Sequence, residues 1–152
     1  MPGSSVLACA PRWISKWQSA MFRVQSSDGV CNMKDSIARR KSETFALRII
    51  KLYNVLTTDR KEYVLSKQIL RSGTSIGANL SESECAISKK DFVSKVYIAL
   101  KESVETQYWL RLLKDSKYIT LTEYDSLYAD CNEITKILMA TTKTVGSGQA
   151  ED

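Results

Sequence analysis

Between Arg71 and Glu84 the chain reads RSGTSIGANLSESE, and Gly73-Thr74-Ser75-Ile76-Gly77 within it is a G-x-S-x-G pattern. That pattern builds the nucleophile elbow of many serine hydrolases. An elbow serine needs an imidazole as general base near neutral pH, and the 152 residues contain no histidine. Only a Ser-Lys dyad stays open, with Lys67 or a distant lysine as base. The elbow also requires a strand before it, whereas the preceding RKEYVLSKQILRS reads as helix. A phosphate-binding loop fails as well, because Ala78-Asn79 follows Gly77 where Lys-Ser/Thr is required. The segment is therefore expected to be non-catalytic, and the chain a non-enzyme without a cofactor.

Metal chemistry finds no better footing. Cys9, Cys31, Cys85 and Cys131 are far apart and form no C-x-x-C. Without histidine they read as small buried or incidental thiols in a reducing compartment, with no structural zinc. No apolar run is long enough for a membrane span. SVLAC at residues 5–9 lacks the basic flank and apolar length of a signal. A cytoplasmic protein with no membrane partner is the expectation. The 22 basic and 17 acidic residues give a net +5; Arg12, Lys16, Arg23 and Asp28 lie within residues 1–32, which leaves +3 on the rest. Such a balance permits a nucleic-acid partner without requiring one.

The elements that would position these residues are helices. Both prolines, Pro2 and Pro11, lie at the extreme N-terminus, and between Val30 and Val145 the only glycines are Gly73 and Gly77. Capping signals divide this breaker-poor stretch. A first helix spans about 35–56. Asp59 with Glu62 reads as the start of a second, from about Arg60 to Ser83. Ser88 with Asp91 opens a third, to about Ser116. Thr120 with Glu123 opens a fourth, to about Thr144. Each carries an apolar seam: Phe45, Ile49, Leu52 and Leu56; Leu65, Ile69, Ile76 and Leu80; Phe92, Val96, Ala99, Leu110 and Leu113, with Val93, Leu100 and Val104 alongside; and Tyr124, Leu127, Cys131, Ile134, Leu138, Thr141 and Val145. Short connections and near-heptad spacing predict an all-α, antiparallel up-down four-helix bundle over 33–145, with a flexible tail at 146–152.

Residues 1–32 are expected to be a disordered leader, or to precede a native start at Met33. A docking helix with Trp13, Trp17, Met21 and Val24 on one face is the other reading.

On the second helix Gln68, Ser72, Ser75, Asn79 and Glu82 form a polar stripe with Arg71 beside it. A helix-interior glycine costs about 1 kcal/mol against alanine, so Gly73 and Gly77 predict a close approach of another helix, or a bend. The structural reading has Ser75, Asn79 and Glu82 fixing register across the bundle or between subunits; the functional one is a polar ligand pocket. For nucleic acid, Arg39, Arg40, Lys41, Arg48 and Lys51 cluster on the first helix, and Lys89, Lys90 and Lys95 at the start of the third. Phosphate contacts need only fixed positive charge. The plain alternative is a solvated face laced with ion pairs. Tyr97, Tyr108, Trp109 and Tyr128 offer stacking surfaces, although helical spacing places them in core or interface.

A resemblance rests on these residues. Gln68-x-x-Arg71, Ser75-Ile76-x-Ala78-Asn79-x-x-Glu82, a basic spacer, Phe92, Ile98-Ala99-Leu100-x-Glu102 and a leucine-rich helix end before Tyr118 follow in order. Over about Lys34 to Val145 this resembles the four-helix-bundle proteins encoded in 23S ribosomal RNA intervening sequences, to which the accessory variability proteins of diversity-generating retroelements are similar. Gly77 stands where that family more often has proline. The resemblance implies a ring-like homopentamer. For the retroelement branch it also implies nucleic acid and a reverse transcriptase as partners, which reaches this chain only by analogy. The reading is an oligomer that binds RNA or an RNA–protein complex through basic helix faces; the alternative is a protein-interaction scaffold with no nucleic-acid affinity.

Overall fold

The computed structural model describes the backbone of residues 36–146 and side chains through Thr144. The expectations for residues 1–32 and for the tail beyond Gly146 lie outside the described residues, as does the Val145 side chain. Four helices and no strand make up the described chain: α1 (Ile37–Thr58), α2 (Leu65–Ser83), α3 (Lys89–Asp115) and α4 (Leu121–Gly146).

Local chemistry sets the ends. The Ser36 hydroxyl accepts from Arg39 N–H at 3.1 Å and starts α1. Ser88 caps α3 by accepting from Asp91 N–H at 3.1 Å, while the Asp91 carboxylate accepts from Ile87 N–H. Thr120 and Glu123 form the reciprocal capping box expected for α4. The predicted start of α2 is corrected. Helix α1 runs on to Thr58, and Lys61 then turns the chain with a left-handed φ of 54°. Glu62, rather than Asp59, caps α2: its carboxylate accepts from the backbone N–H groups of Val64, Leu65 and Ser66 at 2.6–2.9 Å. The helix therefore begins at Leu65, five residues later than Arg60. Burial alone pushes the Glu62 carboxyl up, but the N–H groups of Leu65, Ser66 and Val64 outweigh it and hold the pKa below the ordinary glutamate value.

The seams meet in one core. Phe45, Ile49, Leu56, Ile69, Ile76, Leu80, Val96, Leu110, Leu113, Ile134 and Leu138 are almost wholly excluded from solvent. Val104, expected beside the α3 seam, instead faces outward. Each helix packs on its neighbour in sequence, and α1 also touches α4. Helix α2 runs unbroken through its glycines, and both serve close approach. A Cβ built on Gly73 would meet Ile49 Cγ1 at 2.9 Å, and one on Gly77 would meet Ser42 Oγ at 3.3 Å.

A buried hydroxyl layer crosses this core. Thr106 Oγ1 donates to Ser72 Oγ or to the Glu102 carbonyl, tying α3 to α2. The Thr135 hydroxyl accepts from Gln107 Nε2 at 3.0 Å and lies 3.0 Å from Ser103 Oγ and 2.8 Å from the Cys131 carbonyl. Every buried side-chain polar atom described has a partner, as an apolar interior demands.

Candidate nucleic-acid interface

The cations of α1 fall into two groups. Three are compensated across helix boundaries. Arg39 donates to Glu43 at 3.0 Å and grips both carboxylate oxygens of Glu84 on the α2 side at 2.7 and 2.9 Å. Glu84 first, then Glu43, raises the Arg39 pKa. Lys41 reaches Glu133 of α4 at 2.8 Å. Arg48 pairs with Asp130 and donates to Ser126 Oγ at 2.8 Å. Pairs of this kind, open to solvent, add little to stability; they align helices and cancel charge. Arg40 and Lys51 are exposed, and among the described residues no carboxylate pairs with either. They line open grooves along the α1–α4 seam, Arg40 beside Thr44 and Glu133, Lys51 beside Val55 and Glu123.

On α3, Lys89 and Lys90 are also exposed and unpaired among the described residues. They occupy the first turn, where the helix dipole disfavours cations. Lys95, one turn on, is committed to Glu82 of α2, which raises its pKa.

Two members of the α2 polar stripe reach α3: Ser72 accepts from Thr106, and Glu82 pairs with Lys95. Ser75 and Asn79 are half-buried and Arg71 is exposed. Asn79 donates to the Ser75 carbonyl of its own helix at 2.8 Å. Within the described chain only Glu82 of the expected register set bonds across helices; Ser72 and Thr106 make the buried link. Burial first, then Glu105, pushes the Glu102 carboxyl up, and Arg71 partly offsets this. The G-x-S-x-G residues form no elbow, because they lie inside a continuous helix. Eight residues separate Lys67 from Ser75, about 12 Å along the axis, beyond proton-transfer reach. Among the described residues no group of His, Cys, Asp or Glu is arranged to hold a metal ion. Burial pushes the Cys131 thiol up to about 12, which makes it a packing residue, and Cys85 is exposed. No described helix is long and apolar enough to cross a membrane.

The aromatics divide. Trp109 and Tyr128 are partly buried, whereas Tyr97 and Tyr108 are 50% and 47% exposed, which corrects the core half of the expected core or interface placement.

The model of the 23S rRNA-intervening sequence protein family matches residues 34–140. Among solved structures the chain is similar to a protein of unknown function from the S23 ribosomal protein family of Bacteroides thetaiotaomicron. The two are 52% identical, with a TM-score of 0.70 over 70% of this chain and 99% of that one. No curated protein matches. With the family match spanning well over half its length and the four helices in place, the chain belongs to the 23S rRNA-intervening sequence protein family.

Proposed function

We propose that this protein is a non-enzymatic homo-oligomer that binds RNA, or an RNA–protein complex, through exposed helix cations. One observation carries the reading. Arg40, Lys51, Lys89 and Lys90 stay exposed and uncompensated while neighbouring cations are neutralised within the fold. Charge left free in this way, two residues of it against a helix dipole, suits an anionic partner better than it suits stability. The contacts Arg39–Glu84, Ser42–Gly77 and Ile49–Gly73, with Arg48–Asp130 and Lys41–Glu133, pair rising with falling numbers. They support an up-down antiparallel bundle. A ring-like homopentamer, as the resemblance implies, would repeat each cation set around an axis and add weak contacts by multivalency. A cytoplasmic site of action goes with this reading. The test is the variant carrying alanine at Arg40, Lys51, Lys89 and Lys90, which leaves the internal ion pairs intact. It should lose RNA affinity and flatten the salt dependence by about 0.7 in log–log slope per phosphate contact removed, for a single strand. Unchanged affinity in this variant contradicts the reading.

A second reading, a scaffold for protein partners without RNA affinity, draws on exposed apolar residues. Leu47, Val64, Ile87 and Leu121 are all largely solvent-exposed, which suits protein contacts.

A further inference from the structure

The outward face of α3 carries a continuous stripe at helical spacing: Lys90, Ser94, Tyr97, Lys101, Val104, Tyr108 and Arg111, every one exposed. Successive steps of four and three residues keep these side chains on one line, opposite the buried Val96, Ala99, Ser103 and Leu110. The rings of Tyr97 and Tyr108 lie about 16 Å apart along the axis, with a cation between them and one at either end.

Nearby acids are engaged elsewhere. Lys101 has Glu105 one turn away, yet its Nζ sits over the Tyr97 ring, 5.2 Å from the centroid. Glu105 accepts from Trp109 Nε1 at 3.0 Å. Trp109 in turn meets Tyr108 edge to face, with centroids 5.0 Å apart, which fixes the Tyr108 ring. Asp115, one turn past Arg111, pairs with Lys114 at 3.2 Å. Among the described residues no carboxylate pairs with Lys90, Lys101 or Arg111.

Exposed rings alternating with cations that no carboxylate neutralises fit a ligand with flat faces and a regularly spaced anionic backbone. Duplex RNA offers the anions but hides its base faces, so an unpaired strand is the better match. A second copy of the chain fits less well, since lysine is depleted from the core of protein interfaces and Lys101 lies mid-stripe. We propose that this α3 stripe binds unpaired RNA, with bases stacked on Tyr97 and Tyr108 and phosphates held by Lys101 and Arg111. The inference rests on the RNA reading above and names the nucleic-acid form that the protein selects.

The test uses the full chain and a labelled oligouridylate, with a duplex RNA of equal length, followed by fluorescence anisotropy. Circular dichroism and solution mass are recorded for each variant. Tyr97→Ala and Tyr108→Ala should each weaken oligouridylate binding about 5- to 150-fold, the range for one stacked base, and change duplex binding far less. Tyr97→Phe with Tyr108→Phe should bind like the parent, because the ring faces remain. Wild-type affinity in the double alanine variant, alongside loss of binding in the Arg40, Lys51, Lys89 and Lys90 variant, would overturn the stripe and leave the RNA reading standing. Equal loss on single strand and duplex would overturn the selectivity. A fall in oligomer mass in the alanine variants would make the stripe a contact between copies and overturn the proposal. Absence of all RNA binding at low salt would end both readings.

Discussion

Alanine at Gly73 and alanine at Gly77 should have opposite effects on stability, although both glycines occupy the same helix. In each case the gain in helix propensity is about 1 kcal/mol. The cost differs. At Gly73 the new methyl would lie 2.9 Å from Ile49 Cγ1, 3.0 Å from Cγ2 and 3.3 Å from Cβ. Carbon pairs rest at about 3.5–4.0 Å. Ile49 is wholly buried, and the clashing atoms are the ones next to its backbone, held by a stiff β-branched rotamer. No side-chain swing relieves them, so α1 and α2 must part, at the overpacking cost of about 1–3 kcal/mol. The balance is destabilisation by about 1 kcal/mol, a fall of about 4 °C in Tm for a domain of this size. At Gly77 the nearest atom is Ser42 Oγ at 3.3 Å, and the next is Ser42 Cβ at 3.8 Å. A shift of a few tenths of an ångström relieves that contact, so the propensity gain survives and Tm rises. Thermal melts of both variants provide the first readout, and a double-mutant cycle provides the second. Ile49→Ala, which removes both clashing γ carbons, should cost less in the Gly73→Ala background than in the parent. Equal stabilisation by the two glycine variants, together with zero coupling in the cycle, would refute the packing argument.

Two further outcomes follow from buried polar groups. Glu62 has its pKa lowered in the folded state, so its contribution is complete above the unfolded carboxyl value of about 4.3 and is lost as pH falls through the lowered folded value. Glu62→Gln should cost about 1–2 kcal/mol at pH 7 and flatten the acid limb of stability against pH; an unchanged acid limb would show that the cap carries no charge term. Thr135→Val leaves the buried Gln107 amide without its partner and should cost about 1–3 kcal/mol by denaturant melt, whereas a neutral result would mean that the hydroxyl layer is dispensable.

Much of this structure could be read from residue types. The seams were legible because apolar residues recur at three- and four-residue steps over several turns, and Ser88–Asp91 and Thr120–Glu123 were legible because capping is local. The start of α2 was not. Asp59 and Glu62 match the spacing of a capping pair, but a lysine in the left-handed region carries no sequence signal that would shift the start to Leu65. The Ser72–Thr106 and Ser103–Thr135–Gln107 links were missed because serine and threonine at seam positions resemble surface residues until the facing helix is known. The fate of each α1 cation was illegible for the same reason: Arg39, Lys41 and Arg48 meet Glu84, Glu133 and Asp130, all far away in sequence. Tyr97 and Tyr108 follow a helical period like core residues, and only the packed α3 shows that their line points outward.

Whether the protein binds RNA is tested most directly by its affinity across a salt series, for the purified chain whose solution mass is determined in the same buffer. The expected result is an oligomer whose log Kd rises linearly with log salt, at a slope of several phosphate contacts, about 0.7 each on an unpaired strand. A folded, assembled oligomer that binds no RNA at low salt would contradict it.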